Sequence, residues 1–91
     1  MAVIVRIPTQ LRTLAQGASQ VSVEGANVGE VLANLDRAHP GFQAHLFDEN
    51  GTLRRFVNLF LGEEDVRFLD GMDTALGDGA TLTILPAVAG G

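Results

Sequence analysis

The residues with the clearest chemistry stand at the end of the chain, Ala87-Val88-Ala89-Gly90-Gly91. Glycine has no Cβ, so a terminal Gly-Gly pair can thread a narrow slot and adopt backbone angles that other residues avoid. An α-carboxylate is ionised at neutral pH. That of Gly91 has no bulky neighbour and is free to attack an activated phosphorus. Pro86 lacks an N–H, ends any strand ladder and stiffens the departure of the tail. The five residues beyond it extend roughly 17 Å, which suits an active-site channel better than a surface contact. Small residues at a terminus are otherwise a frayed end of the kind most domains have. The pattern upstream decides between the two readings.

Other chemistry is sparse. The imidazoles of His39 and His45 have no cysteine or acidic cluster at metal spacing beside them, so they read as structural or surface groups and no metal site is expected. Without cysteine there is no disulfide, thiolate site or cysteine nucleophile. Glu63-Glu64-Asp65 reads first as a solvated turn and second as an electrostatic guide to a basic partner. Arg54 and Arg55 are expected to pair with nearby acids. Phe56 and Phe60 alternate with Val57, Leu59 and Leu61. If the aliphatic set is core, the aromatics emerge on the far side of the sheet near Ile4 and Leu85, an apolar docking patch on an acidic protein.

Net charge is −5, with 11 acids against 6 basic residues. This argues against nucleic acid and anionic membranes as partners and permits a partner with a basic face. All the basic residues are arginine, so no side-chain amine is available to accept an isopeptide bond. No apolar run approaches the ~20 residues of a membrane span, and Met1–Arg6 lacks the pattern of a signal peptide. The expected location is the cytoplasm.

The elements that must hold the tail follow from periodicity. Residues 2–7 alternate as a strand with Val3, Val5 and Ile7 inward, ended by Pro8. Residues 9–19 read as a long hairpin loop. Residues 20–24 form a second strand stopped by Gly25. Asn27 and Glu30 make a capping-box pair for a helix whose stripe is Val28, Val31, Leu32, Leu35 and Ala38. Pro40-Gly41 ends it. Residues 42–47 suggest a short helical turn and 48–51 a chain reversal. Strands are expected at 55–61, 66–68 and 81–85, the last with Leu82 and Ile84 inward, and residues 70–79 form a loop fastened by Leu76. One helix across one face of a sheet is a two-layer α+β domain, here residues 1–86, followed by a flexible tail over 87–91.

From the opening strand with Ile7-Pro8, through Val28–Leu35 and Arg55-Phe56-Val57-Asn58 with Glu64-Asp65-Val66-Arg67-Phe68, to Thr83-Ile84-Leu85-Pro86-Ala87-Val88-Ala89-Gly90-Gly91, the chain resembles the β-grasp, ubiquitin-like sulfur carriers of the MoaD/ThiS family, and within it the branch serving cysteine biosynthesis. The last segment is the most specific. The resemblance implies a mixed sheet of four to five strands crossed by one main helix. It also implies that the chain is a co-substrate and not an enzyme, with no bound cofactor. An E1-like adenylating enzyme would use ATP to convert the Gly91 carboxylate to an acyl-adenylate, and sulfur would replace AMP to give a thiocarboxylate. A cysteine synthase-like enzyme would accept the sulfur and a JAMM-type metalloprotease would release the product. Phe56, Phe60 and Leu85 would dock the partner, with Ala87, Val88, Ala89 and Gly90 as the threading tail. The alternatives are a modifier joined through Gly91 to lysines of other proteins, the small subunit of a molybdopterin synthase-like complex, and a plain interaction module.

Overall fold

Asn27 turns the chain into its main helix, α1 (Val28–Ala38), in the manner the capping pair predicts. The Asn27 Oδ1 accepts the Glu30 amide at 2.8 Å. The return arm lands one residue earlier than in the standard box, because Glu30 Oε1 accepts from the Ala26 amide at 3.0 Å. Val28, Val31, Leu32 and Leu35 are buried, while Ala38, expected on the same stripe, is exposed in the last turn. The computed structural model describes residues 2–55 and 57–86.

The buried stripe of α1 lies on one sheet. Its strands are β1 (Ala2–Arg6), β2 (Gln20–Glu24), β3 (Val57–Leu61), β4 (Glu64–Asp65) and β5 (Thr81–Pro86), in spatial order β2-β1-β5-β3-β4. β1 and β5 run parallel at the centre, with Arg6 opposite Thr83, and all other neighbours are antiparallel. The helix-facing residues Val3, Val5, Val57, Leu59, Leu82 and Ile84 are buried. A short helix, α2 (Phe42–Leu46), adds Phe42 and Leu46 to the core. This mixed sheet under a single main helix is the β-grasp arrangement.

Gly25 is required where β2 meets the helix. A Cβ there would come within 2.7 Å of Val31 Cγ2 and 2.8 Å of the Val31 amide nitrogen, so the strand end and the helix touch only because this side chain is missing.

Two segments differ from the sequence expectation. Residues 9–19 are not plain loop, since Thr9–Ala15 form a 3₁₀ helix that buries Leu11 and Ala15. The fourth strand is Glu64–Asp65 rather than 66–68. Asp65 Oδ1 accepts the Arg67 amide at 2.8 Å, turning Val66–Phe68 into a 3₁₀ turn that buries Val66. Within the acid run Asp65 therefore caps a turn. The loop after it contains a 3₁₀ turn at Gly71–Asp73, and Leu76 is buried as expected.

Candidate functional site

The tail grows from the middle of the sheet. β5 is flanked by β1 on one side and β3 on the other, and its last residues face Asn58 (from Leu85) and Val57 (from Pro86). The root of the tail is thus anchored on both sides up to Thr83 and on the β3 side to Pro86. Ala87, Val88, Ala89, Gly90 and Gly91 themselves lie outside the described residues, as does Phe56.

On the face away from α1, Leu85 is 50% exposed. Phe60 is half-buried, opposite Thr83, and Ile4 is half-buried on β1. Two of the three expected docking residues, Phe60 and Leu85, therefore stand on the outer face as diagonal neighbours, Phe60 opposite Thr83 and Leu85 two residues further along β5. The largest outward-turned apolar side chain among the described residues is one the sequence reading did not select. Phe68, on the 3₁₀ turn after β4, is 85% exposed.

Arg67 was also passed over, and it organises this end of the sheet. Its guanidinium donates to Asn58 Oδ1 at 2.8 Å and to the Val57 carbonyl at 2.6 Å. Longer contacts reach the carbonyls of Arg55 at 3.4 Å and Arg54 at 3.5 Å. One side chain thereby ties the 3₁₀ turn to the two residues of β3 that face the tail root. Arginine suits this task because its planar fork presents several donors at fixed angles. Arg54 does not follow the expectation of pairing with an acid: its guanidinium donates to the Ala44 carbonyl at 3.3 Å.

Beside the same strand end lies a groove of about 420 Å³ between the start of the 3₁₀ helix, β1 and β5, with Arg6, Arg12, Pro8, Thr83 and Leu85 in its wall. Arg12 is fixed there by an Nε–H bond to the Ile7 carbonyl at 3.1 Å.

Among the described residues, no group of three or more His, Cys, Asp or Glu side chains is placed to hold an ion. His45 is exposed and His39 half-buried, on separate elements. No helix of the described residues is long and apolar enough to cross a membrane. What the arrangement offers is a sheet end held by strand pairing and by the Arg67 hydrogen bonds, with exposed side chains on its outer face.

A model of the ThiS family matches residues 5–91. The sulfur carrier protein CysO of Mycobacterium tuberculosis is 46% identical over 93 aligned residues covering 100% of both chains. The small archaeal modifier protein 3 of Haloferax volcanii is 40% identical over 68 residues, 75% of this chain and 73% of that protein. A solved structure, the BexX/CysO complex of Amycolatopsis orientalis, superimposes with a TM-score of 0.91 at 48% identity, covering 99% of this chain and 100% of the matched one. On the family match and the full-length identity together, the chain belongs to the ThiS family and is a small β-grasp relative of named sulfur carrier proteins.

Proposed function

We propose that the chain carries sulfur as a thiocarboxylate on Gly91. In the first step the Gly91 carboxylate attacks the α-phosphorus of ATP held by an E1-like adenylating enzyme, and pyrophosphate leaves. In the second, a sulfur nucleophile from a separate donor displaces AMP from the acyl-adenylate. The product is then a nucleophile softer than the carboxylate it replaced. A carboxylate is a poor nucleophile and gains several kcal/mol from being held in line with its target. A short tail of small residues supplies reach, and the sheet end that roots it supplies position. Residues 1–86 are in this reading the body, residues 87–91 the arm, and Phe60 and Leu85, with Phe56, part of the face that meets the enzyme.

The observation that carries the proposal is the 46% identity with a named sulfur carrier along the whole of both chains, an alignment that takes in this chain's Gly90-Gly91 ending. The likeness of the Pro86–Gly91 ending to the cysteine-biosynthesis branch of the family favours cysteine synthesis as the destination, through a cysteine synthase-like acceptor and release by a JAMM-type metalloprotease. Incubation with ATP, the adenylating enzyme and a sulfide source is expected to yield a species heavier by one oxygen-to-sulfur exchange at the C-terminus. A chain lacking Gly90-Gly91 should yield none. If the intact chain never acquires the mass change with any cognate adenylating enzyme, the proposal fails.

A second reading draws on the modifier-named relative: the activated Gly91 carbonyl is transferred to lysine amines of other proteins. Gly-Gly remnants on lysines of digested cellular protein would support it, and their absence from cells expressing the chain would remove it. The two fates share the adenylate and compete only after it.

A further inference from the structure

We infer that the groove walled by Arg6, Arg12, Pro8, Thr83 and Leu85 is the seat for a carboxylate-bearing segment of the activating enzyme, an inference that rests on the proposed carrier function. Three observations support it. The first is charge. The chain carries 11 acids and 6 arginines, yet the described residues that line this groove include Arg6 and Arg12 and no acid. A locally positive recess on a net-negative body selects an anionic partner group.

The second is construction. Arg12 is held by its Nε–H bond to the Ile7 carbonyl, which leaves the two terminal nitrogens of the fork to receive a carboxylate in bidentate fashion. Arg6 is exposed on β1 directly opposite Thr83 of β5. The groove, about 420 Å³, is much larger than one oxyanion, and Pro8 and Leu85 give it an apolar wall. Its shape therefore fits an aspartate or glutamate flanked by aliphatic side chains better than free phosphate.

The third is place. Thr83 and Leu85 belong both to the groove and to the last residues of β5 before the tail. An enzyme segment seated here would fix the root of the tail within a few ångströms of where the tail must enter. The acidic surface elsewhere would steer the body toward basic patches, while this recess sets the register.

The test uses the full chain and the purified E1-like adenylating enzyme of the same organism. Arg6→Glu, Arg12→Glu and the double variant are compared with Arg37→Glu, which makes the same charge change on α1, across the core from the outer sheet face. Dissociation constants are measured at low and at physiological salt, and folding is checked by thermal melting. Neutral Arg6→Gln and Arg12→Gln variants stand in should a charge reversal unfold the chain. Each groove reversal is expected to weaken binding about tenfold or more at low salt, with a smaller loss at high salt, as is usual for charge pairs across an interface. Arg37→Glu should leave binding within about twofold. If groove variants and control weaken binding equally, net charge alone steers the encounter and the inference is overturned. Adenylation of the wild-type chain is read in the same samples. Its presence with undiminished binding of the groove variants sinks only the groove, whereas its absence sinks the carrier reading and the groove assignment with it.

Discussion

Removing the guanidinium of Arg67 tests whether the end of the sheet depends on one side chain. Arg67→Met keeps the length of the stem and deletes the donors. The two short bonds, 2.6 Å to the Val57 carbonyl and 2.8 Å to Asn58 Oδ1, would each contribute about 1.5–3 kcal/mol as charged hydrogen bonds in a closed setting. Arg67 is exposed as a residue, so water takes over part of the role, and about 1 kcal/mol for each bond is the better figure. The contacts beyond 3.3 Å add little. The expected loss is about 2 kcal/mol, which for a domain of this size lowers Tm by about 8–16 °C. Urea or thermal melts of the variant measure it. Hydrogen exchange adds location: Leu85 and Asn58, directly opposite each other, should exchange faster by more than the global destabilisation accounts for, while Leu82, paired with Leu61 at the other end of β5, follows the global change. Arg67→Lys, with a point charge and no fork, should recover less than half of the loss. A Tm within about 3 °C of the parent for Arg67→Met, or uniform acceleration of exchange along β5, would refute the clamp.

Two glycines give opposite expectations. Gly25→Ala drives a Cβ to 2.7 Å from Val31 Cγ2 and 2.8 Å from its backbone nitrogen, so it should cost about 2–4 kcal/mol from overpacking and strain; a melt unchanged from the parent would contradict the close approach. Gly29→Ala places a Cβ at ordinary contact, 3.4 Å from the Met72 carbonyl and 3.5 Å from Asn27 Oδ1. With helix propensity gained and chain entropy lost from the unfolded state, it should stabilise by about 0.5–1 kcal/mol, seen as a Tm raised by a few degrees, and a lower Tm would show that the first turn has no room.

What could be read from the sequence was what is local. Asn27 and Glu30 announced α1 because their partners are amides within four residues, and Val3/Val5 and Leu82/Ile84 announced their strands through simple alternation. The 3₁₀ helix at Thr9–Ala15 escaped because Pro8 offers no side-chain cap and Leu11 and Ala15 are its only buried residues; their spacing of four in a polar stretch was the available signal. The misplaced fourth strand has a similar cause. Val66-Arg67-Phe68 has the composition of a strand, but Asp65 caps the Arg67 amide and turns the chain, while burial of Val66 holds the turn against the core. Arg67 could not be singled out, since its acceptors are main-chain carbonyls and an amide oxygen nine to thirteen residues away, and a carbonyl leaves no trace in residue type. Of the candidate site, the outer-face placement of Phe60 and Leu85 was legible from alternation. The Arg6–Arg12 groove was not, because it needs β1, β5 and the unexpected 3₁₀ helix to come together.

The parallel pairing of β1 with β5 also sets an order of events during synthesis. The first strand emerges early but cannot acquire its central neighbour until Thr81–Pro86 have cleared the ribosome, so until then one edge of β1 has no partner and α1 has no complete sheet to cover. Non-local closure of this kind is slow compared with local hairpin formation. A nascent chain stalled before β5 would expose Val3, Val5, Val57 and Leu59 to solvent and to chaperones. The sheet therefore closes only once Thr81–Pro86 are free to pair on both sides, later than the local β1–β2 hairpin and α1 can form.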